Sequence, residues 1–251
     1  EITMKKLFVV TNVIMLTFIL IFDMFYMTSN GLLVKAIASL LFVITGLINL
    51  MYCIKNKENL KFPIWMIIAL TIAMLGDILI NLNFYLGTIV FGLGHVFYFA
   101  SYCMLDKMNR KDFLWGMMIS LISLMVIFFT PFLNFGGALM QGVCGVYAVI
   151  ISFMLGKAIS NSLRQTNMTN LIIVIGSLLF FISDFMLMLK SFADLPVAGY
   201  LCLGTYYPAQ FLLAFSLFVY PSTSMKFLNH KKGTMSLQTS YQKLKVGYDY
   251  D

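Results

Sequence analysis

The stretch "AMLGDILINL" (residues 73–82) places a carboxylate, Asp77, inside a run that is otherwise apolar enough for a lipid bilayer. A second run, "LLFFISDFMLML" (residues 178–189), carries Asp184 in the same kind of setting. An ionised Asp in a hydrocarbon core costs at least ~2.5 kcal/mol even on the mildest insertion scales. Two such residues therefore predict a membrane protein with a buried polar site.

Apolar runs like these recur along the whole chain of 251 residues, which is 61% hydrophobic and only 11% charged. A run of ~20 apolar residues is long enough to cross ~30 Å of hydrocarbon. We predict eight such spans, at about residues 5–27, 32–54, 62–82, 84–105, 112–131, 137–157, 169–190 and 200–220. The predicted fold is an all-α integral membrane protein, a single bundle of eight transmembrane helices within residues 1–221.

The basic residues are distributed unevenly between the two ends of the predicted spans. Of the 17 Lys and Arg residues, all but Lys35 and Lys190 fall on the side of the N-terminus. The positive-inside rule therefore predicts that both termini are cytoplasmic, in a bacterial inner membrane or in the endoplasmic reticulum membrane. The net charge of +7 then reflects topology and contact with anionic lipid headgroups, so no nucleic-acid partner is predicted.

The rest of the composition limits the possible cofactors. The four cysteines lie in different spans without CxxC spacing, which predicts neither a zinc site nor a disulfide framework. No HExxH-like spacing is present, so we predict no metal site, and the two-carboxylate chemistry considered below requires no organic cofactor. Residues 222–251 are rich in Ser, Thr, Lys and Tyr and are predicted to form a polar, flexible cytoplasmic tail. The oligomeric state is left open.

Further polar side chains gather near the depth of the two aspartates. At 1.5 Å per residue, Asp77 and Asp184 both lie roughly 9 Å from the predicted outer ends of their spans. Helical spacing places Asp77 with Asn81, and Tyr206 with Gln210, on shared faces. The candidate supporting and substrate-binding residues are His95, Tyr98, Asn81, Tyr206, Tyr207, Gln210 and Lys35.

A weak internal repeat relates the two aspartate-containing regions. Spans three and four carry a small residue, an Asp, a turn and a helix with a His/Tyr face, and spans seven and eight repeat this with a Tyr/Gln face. A parallel repeat would place both carboxylates beside one central cavity. No comparable polar group is expected in the cytoplasmic half beyond loop lysines and an occasional serine. Asp23 and Lys35 are expected to pair with each other or to contact headgroups.

Four segments resemble those of the YhhN-type lysoplasmalogenase family of multipass membrane enzymes. They are "LGDILI" (75–80), "FGLGHVFYF" (91–99), "FFISDFML" (180–187) and "TYYPAQ" (205–210), and the resemblance extends from about residue 5 to residue 220. It implies hydrolysis of the vinyl ether bond of 1-alkenyl lysoglycerophospholipids to a fatty aldehyde and glycerophosphocholine or glycerophosphoethanolamine. It also implies that Asp77 and Asp184 are the essential aspartates.

Vinyl ether cleavage has chemical requirements that two carboxyl groups meet. Protonation of the β-carbon gives an oxocarbenium ion, which water traps as a hemiacetal that collapses. One carboxylic acid donates the proton and one carboxylate stabilises the cation and activates water, as in glycosidases. We predict Asp77 and Asp184 as this catalytic pair, without deciding which is the acid.

Two alternative functions use a similar set of residues. Buried Asp, His and Tyr side chains also serve as relays in transporters and proton-coupled carriers. An intramembrane aspartyl protease likewise places two Asp residues on separate helices, but its GxGD and PAL motifs are incomplete here, at residues 74–77 and 208–210.

Overall fold

Eight α-helices make up the computed structural model, which describes residues 2–29 and 31–247 of the backbone and the side chains of residues 3–29 and 31–223. Each helix is long and apolar enough to cross a membrane, and the described residues contain no strand. This confirms the predicted all-α bundle of eight spans, while the cytoplasmic location of both termini stays a prediction. The helices are α1 (Ile2–Ser29), α2 (Leu32–Lys55), α3 (Lys61–Leu82), α4 (Phe84–Leu105), α5 (Arg110–Phe129), α6 (Ala138–Arg164), α7 (Met168–Phe192) and α8 (Pro196–Gly247).

Helix α8 extends beyond both ends of the predicted eighth span. It begins at Pro196, a residue whose fixed φ and missing N–H suit the first turn of a helix. Its apolar part covers Pro196–Thr223, and its backbone stays helical past the predicted domain boundary at residue 221. The flexibility of the segment 222–251 stays a prediction, and residues 248–251 lie outside the described residues.

A ring of six helices forms the centre of the bundle. Each of α2, α3, α4, α6, α7 and α8 packs against the next, and α8 closes the ring against α2. Helix α1 lies outside the ring against α2 and α8, and α5 lies outside against α6. The apolar window of the peripheral helix α5 has the smallest buried share, 22%, and that of the central helix α8 the largest, 61%.

The α3–α4 hairpin, which carries Asp77 and His95, depends on a single connecting residue and a close helix approach. The Asn83 side chain accepts a hydrogen bond of 3.0 Å from the backbone N–H of Leu86 and so caps the start of α4. One turn later, a Cβ added to Gly87 would lie 2.3 Å from the Cα of Ile80. Only glycine therefore allows α4 to lie directly against the backbone of α3 here.

The end of the bundle that is predicted to face the cytoplasm contains buried charges. Asp112 accepts hydrogen bonds of 2.7 Å from Lys157 Nζ and from Arg164, which also contacts Asp106 at 2.8 Å. The Lys157 side chain is fully buried, and its Nζ also donates to the backbone carbonyl of Lys107 at 3.0 Å. The expectation that this half holds no comparable polar group is therefore wrong. The reason is that α6 continues to Arg164, so Lys157 lies inside a helix and not in a loop.

Candidate active site

Asp77 lies on α3, facing α2 and α8, with only 2% of its surface exposed. Its Oδ2 accepts hydrogen bonds from Ser39 Oγ at 2.6 Å and from Tyr206 OH at 2.7 Å. Lys35 Nζ lies 3.5 Å from the other carboxylate oxygen. Two hydroxyl donors and one ammonium group thus complement the negative charge of an ionised Asp77.

A chain of hydrogen bonds fixes the orientation of Tyr206. Tyr98 OH donates to Gln210 Oε1 at 2.6 Å, and Gln210 Nε2 donates to Tyr206 OH at 3.1 Å. Since Gln210 supplies a proton to the Tyr206 oxygen, the Tyr206 proton is directed to Asp77. All of these side chains are buried, so water does not compete for the chain.

Lys35 pairs with Asp77 and not with Asp23, so the expected Asp23–Lys35 pair is wrong. Lys35 Nζ also lies 3.4 Å from Asn81 Oδ1 and 5.5 Å from the centre of the Tyr26 ring. Asn81 and Tyr26 are joined in turn by a hydrogen bond of 3.3 Å. Asp23 is buried on α1, and its Oδ1 has no hydrogen-bond partner in the part of the chain that the structure describes.

Asp184 lies on α7 at one corner of a triangle of polar atoms. Its Oδ2 accepts a hydrogen bond of 2.5 Å from Tyr147 OH and lies 3.1 Å from His95 Nε2. The third side, between His95 Nε2 and Tyr147 OH, is 2.7 Å. The other ring nitrogen of His95 lies 3.3 Å from Met154 Sδ, which is a weak acceptor. Asp184 has no Lys or Arg partner among the described residues.

Each aspartate is contacted by a side chain of the other aspartate's hairpin. Asp77 of the α3–α4 hairpin is contacted by Tyr206 of α8, whereas Asp184 of the α7–α8 hairpin is contacted by His95 of α4. The Phe180 ring stands between the two groups, with its centre 4.6 Å from that of His95 and 5.3 Å from that of Tyr206. Each aspartate therefore depends on a residue of the other hairpin for one of its contacts.

Both carboxylates line one cavity of about 390 Å³. Its polar lining residues are Tyr26, Lys35, Asp77, Asn81, Asp184, Lys190, Ser191, Tyr200 and Tyr206. A mostly apolar groove of about 160 Å³ adjoins it on the side of α5 and α6. The cavity and the groove share Ile80, Phe84, Phe91, Asp184 and Leu187. Asp184 is thus the one carboxylate that faces both spaces.

The candidate residues predicted from the sequence lie in two layers. Asp77, Asp184, Lys35, Asn81 and Tyr206 line the cavity. Behind them lie His95, which contacts Asp184, and Tyr98 and Gln210, which act through Tyr206. Tyr207 contacts neither aspartate directly, because its hydroxyl lies 3.4 Å from Ser39 Oγ. The functional roles of these residues remain predictions.

Sequence reasoning missed two hydrogen-bond donors to the aspartates. Ser39 follows Lys35 by four residues, so helical spacing already places both on one face of α2 and was an available signal. Tyr147 stands in an apolar stretch of α6 without any distinguishing neighbour. Only the packing of α6 between α4 and α7 brings its hydroxyl to Asp184.

The described residues contain no group of three or more His, Cys, Asp or Glu side chains that could hold a metal ion. All four cysteines are free thiols.

A protein-family model supports the relationship suggested by the four sequence segments. The model of the YhhN family matches residues 30–217, which is well over half of the chain. The match includes every residue described above in the Asp77 and Asp184 clusters except Tyr26 and Asp23 on α1. No curated protein and no solved structure matches the chain. On the strength of the family match, this eight-helix membrane protein belongs to the YhhN family.

Proposed function

We propose that this protein is a lysoplasmalogenase, a hydrolase of the vinyl ether bond in 1-alkenyl lysoglycerophospholipids. The products are a fatty aldehyde and glycerophosphocholine or glycerophosphoethanolamine. The observation that carries the proposal is that two carboxyl groups with different partners line one cavity inside a membrane bundle. Membership of the YhhN family supports the same reaction class.

The different surroundings of the two carboxyl groups suggest which is the acid and which the base. Lys35 and two hydroxyl donors complement a negative charge on Asp77, which suits a carboxylate. Asp184 has no Lys or Arg partner and borders the apolar groove, which suits a neutral acid. We therefore assign Asp184 as the proton donor and Asp77 as the base.

The first half of the reaction forms the hemiacetal. Asp184 transfers its proton to the β-carbon of the vinyl ether, and the π electrons form the new C–H bond. Tyr147 and His95 stabilise the carboxylate left on Asp184. A water molecule then adds to the oxocarbenium carbon and loses a proton to Asp77, which gives the hemiacetal.

The second half restores both side chains. The hemiacetal hydroxyl returns a proton to Asp184 as its C=O bond forms and the bond to the glyceryl oxygen breaks. Asp77 gives the leaving glyceryl oxygen the proton that it took from water. The net change is the addition of one water molecule, with Asp184 neutral and Asp77 ionised again.

The test is mass spectrometry of the products after purified protein meets a 1-alkenyl lysophospholipid together with its 1-acyl counterpart. We expect selective loss of the alkenyl lipid and release of aldehyde, both abolished in Asp77→Asn and Asp184→Asn. Asp194→Asn is the matched control, since Asp194 is exposed outside the cavity and has φ of 56°, which Asn also adopts.

Several outcomes would contradict the proposal. Loss of only the acyl lipid would indicate an esterase, and substantial turnover in both Asn variants would refute the catalytic pair. Solute uptake or electrogenic flux in proteoliposomes without aldehyde release would favour a transporter. Cleavage of a transmembrane peptide would favour an aspartyl protease.

A further inference from the structure

The only two basic residues predicted on the outer side of the membrane, Lys35 and Lys190, both line the cavity. They differ in their partners. Lys35 is paired with Asp77, at 3.5 Å, so its charge is largely compensated within the protein. Lys190 lies in the last turn of α7 and makes no ion pair with any described residue. The cavity therefore has one cation whose charge is available to a ligand.

The aliphatic part of Lys190 is held against α8. A Cβ added to Gly199 would lie 3.1 Å from Lys190 Cδ and 3.3 Å from Cε. The missing side chain at Gly199 thus leaves room for the lysine to run along α8. Lys190 is exposed overall, but a stem that lies against Gly199 in this way loses less rotamer freedom when its ammonium group binds an anion than a stem without contacts does.

The relative positions of the groove, Asp184 and Lys190 match the order of groups in a lysophospholipid. Asp184 lines both the apolar groove and the polar cavity, whereas Lys190 lines only the cavity. Lys190 is six residues further along α7, which is about 9 Å along the helix axis. An alkenyl chain in the groove would place its vinyl ether at Asp184, and the short glycerol bridge would direct the phosphate toward Lys190.

We infer that Lys190 binds the phosphate group of the lysophospholipid while the apolar groove holds the alkenyl chain, so that the vinyl ether lies against Asp184. The identity of the lipid rests on the proposed function. Lys190 is therefore a substrate-positioning residue, whereas the charge on Lys35 is compensated by Asp77.

The test measures binding with probes that cannot be cleaved. A 1-O-alkyl lysophospholipid and a 1-O-alkylglycerol of the same chain length differ only in the phosphate headgroup. We expect Lys190→Gln to weaken binding of the phospholipid about tenfold, equivalent to about 1.4 kcal/mol, and to leave binding of the alkylglycerol unchanged. Lys190→Arg should restore most of the affinity, because it keeps the charge. The control Lys61→Gln, in the first turn of α3, should change neither affinity.

Two results would overturn the inference. One is equal affinity of wild type and Lys190→Gln for the alkyl lysophospholipid, or an equal loss for both probes, which would indicate a packing role. The other is displacement of the phospholipid probe by inorganic phosphate at a similar concentration, since this would assign the site to free phosphate. Binding through Lys190 without any cleavage of the alkenyl lipid would refute the hydrolase but retain the phosphate site.

Discussion

His95 Nε2 lies 3.1 Å from Asp184 Oδ2, although His95 belongs to the hairpin that carries the other aspartate. Tyr206 reaches Asp77 from the opposite hairpin in the same way, at 2.7 Å. Separation of the hairpins would remove Tyr206 from Asp77 and His95 from Asp184, and the loss of a polar partner in the membrane is costly. The exchange thus couples the formation of the site to the docking of the two hairpins.

Tyr206→Phe should lower the turnover number about ten- to hundredfold, because it removes one of two hydroxyl donors to Asp77. KM should change little, since the ring remains. Tyr207→Phe is the matched control on the neighbouring position, where the hydroxyl lies 3.4 Å from Ser39 and contacts neither aspartate. Initial rates of aldehyde release measure both variants. Equal losses in the two variants would contradict a specific role of the Tyr206 hydroxyl.

His95→Gln and Tyr147→Phe should be strongly non-additive. Both side chains contact the same oxygen of Asp184 and also each other, at 2.7 Å. Once one side chain is replaced, the triangle is broken, and replacement of the second should cost little more. A double-mutant cycle on the turnover number measures this coupling. Losses that simply multiply would show that the two residues act independently.

The sequence was sufficient for the eight spans because each span carries its own signal of length and hydropathy. A carboxylate in an apolar run is also conspicuous without tertiary information, so the sequence singled out Asp77 and Asp184, which line one cavity in the structure. The partners of each aspartate were harder to predict. Helical periodicity reports which residues share a face of one helix, but it does not report which helix lies opposite.

Tyr147 and Lys157 show two further limits. The Tyr147 hydroxyl reaches Asp184 only because α6 packs against α7, and no feature of the α6 sequence indicates this contact. Lys157 is the last residue of the predicted sixth span and resembles a loop lysine, yet it is fully buried. A buried lysine is tolerated there because Asp112, from another helix, compensates its charge.

Asp112→Asn should destabilise the bundle by about 3–5 kcal/mol, because it leaves the buried Lys157 without its counter-charge. Asp106→Asn is the comparison variant, for which a smaller loss of stability is expected. The Asp106 side chain is 26% exposed and that of Asp112 1%, so water replaces more of the lost interaction with Arg164. Thermal unfolding of both variants in detergent measures the difference. Equal melting temperatures for the two variants would contradict the expectation that the more deeply buried ion pair, Asp112–Lys157, contributes more to stability.

Gly87→Ala should lower both the melting temperature and the activity. The added methyl group would lie 2.3 Å from the Cα of Ile80, so α4 must move away from α3 and shift His95 relative to Asp184. Gly142→Ala in α6 is the matched control, because a Cβ there has no atom within 4 Å. It should raise stability by up to about 1 kcal/mol through helix propensity. Thermal unfolding and aldehyde release, measured on the same preparations, distinguish the two effects. Unchanged activity of Gly87→Ala would show that the active site tolerates displacement of α4.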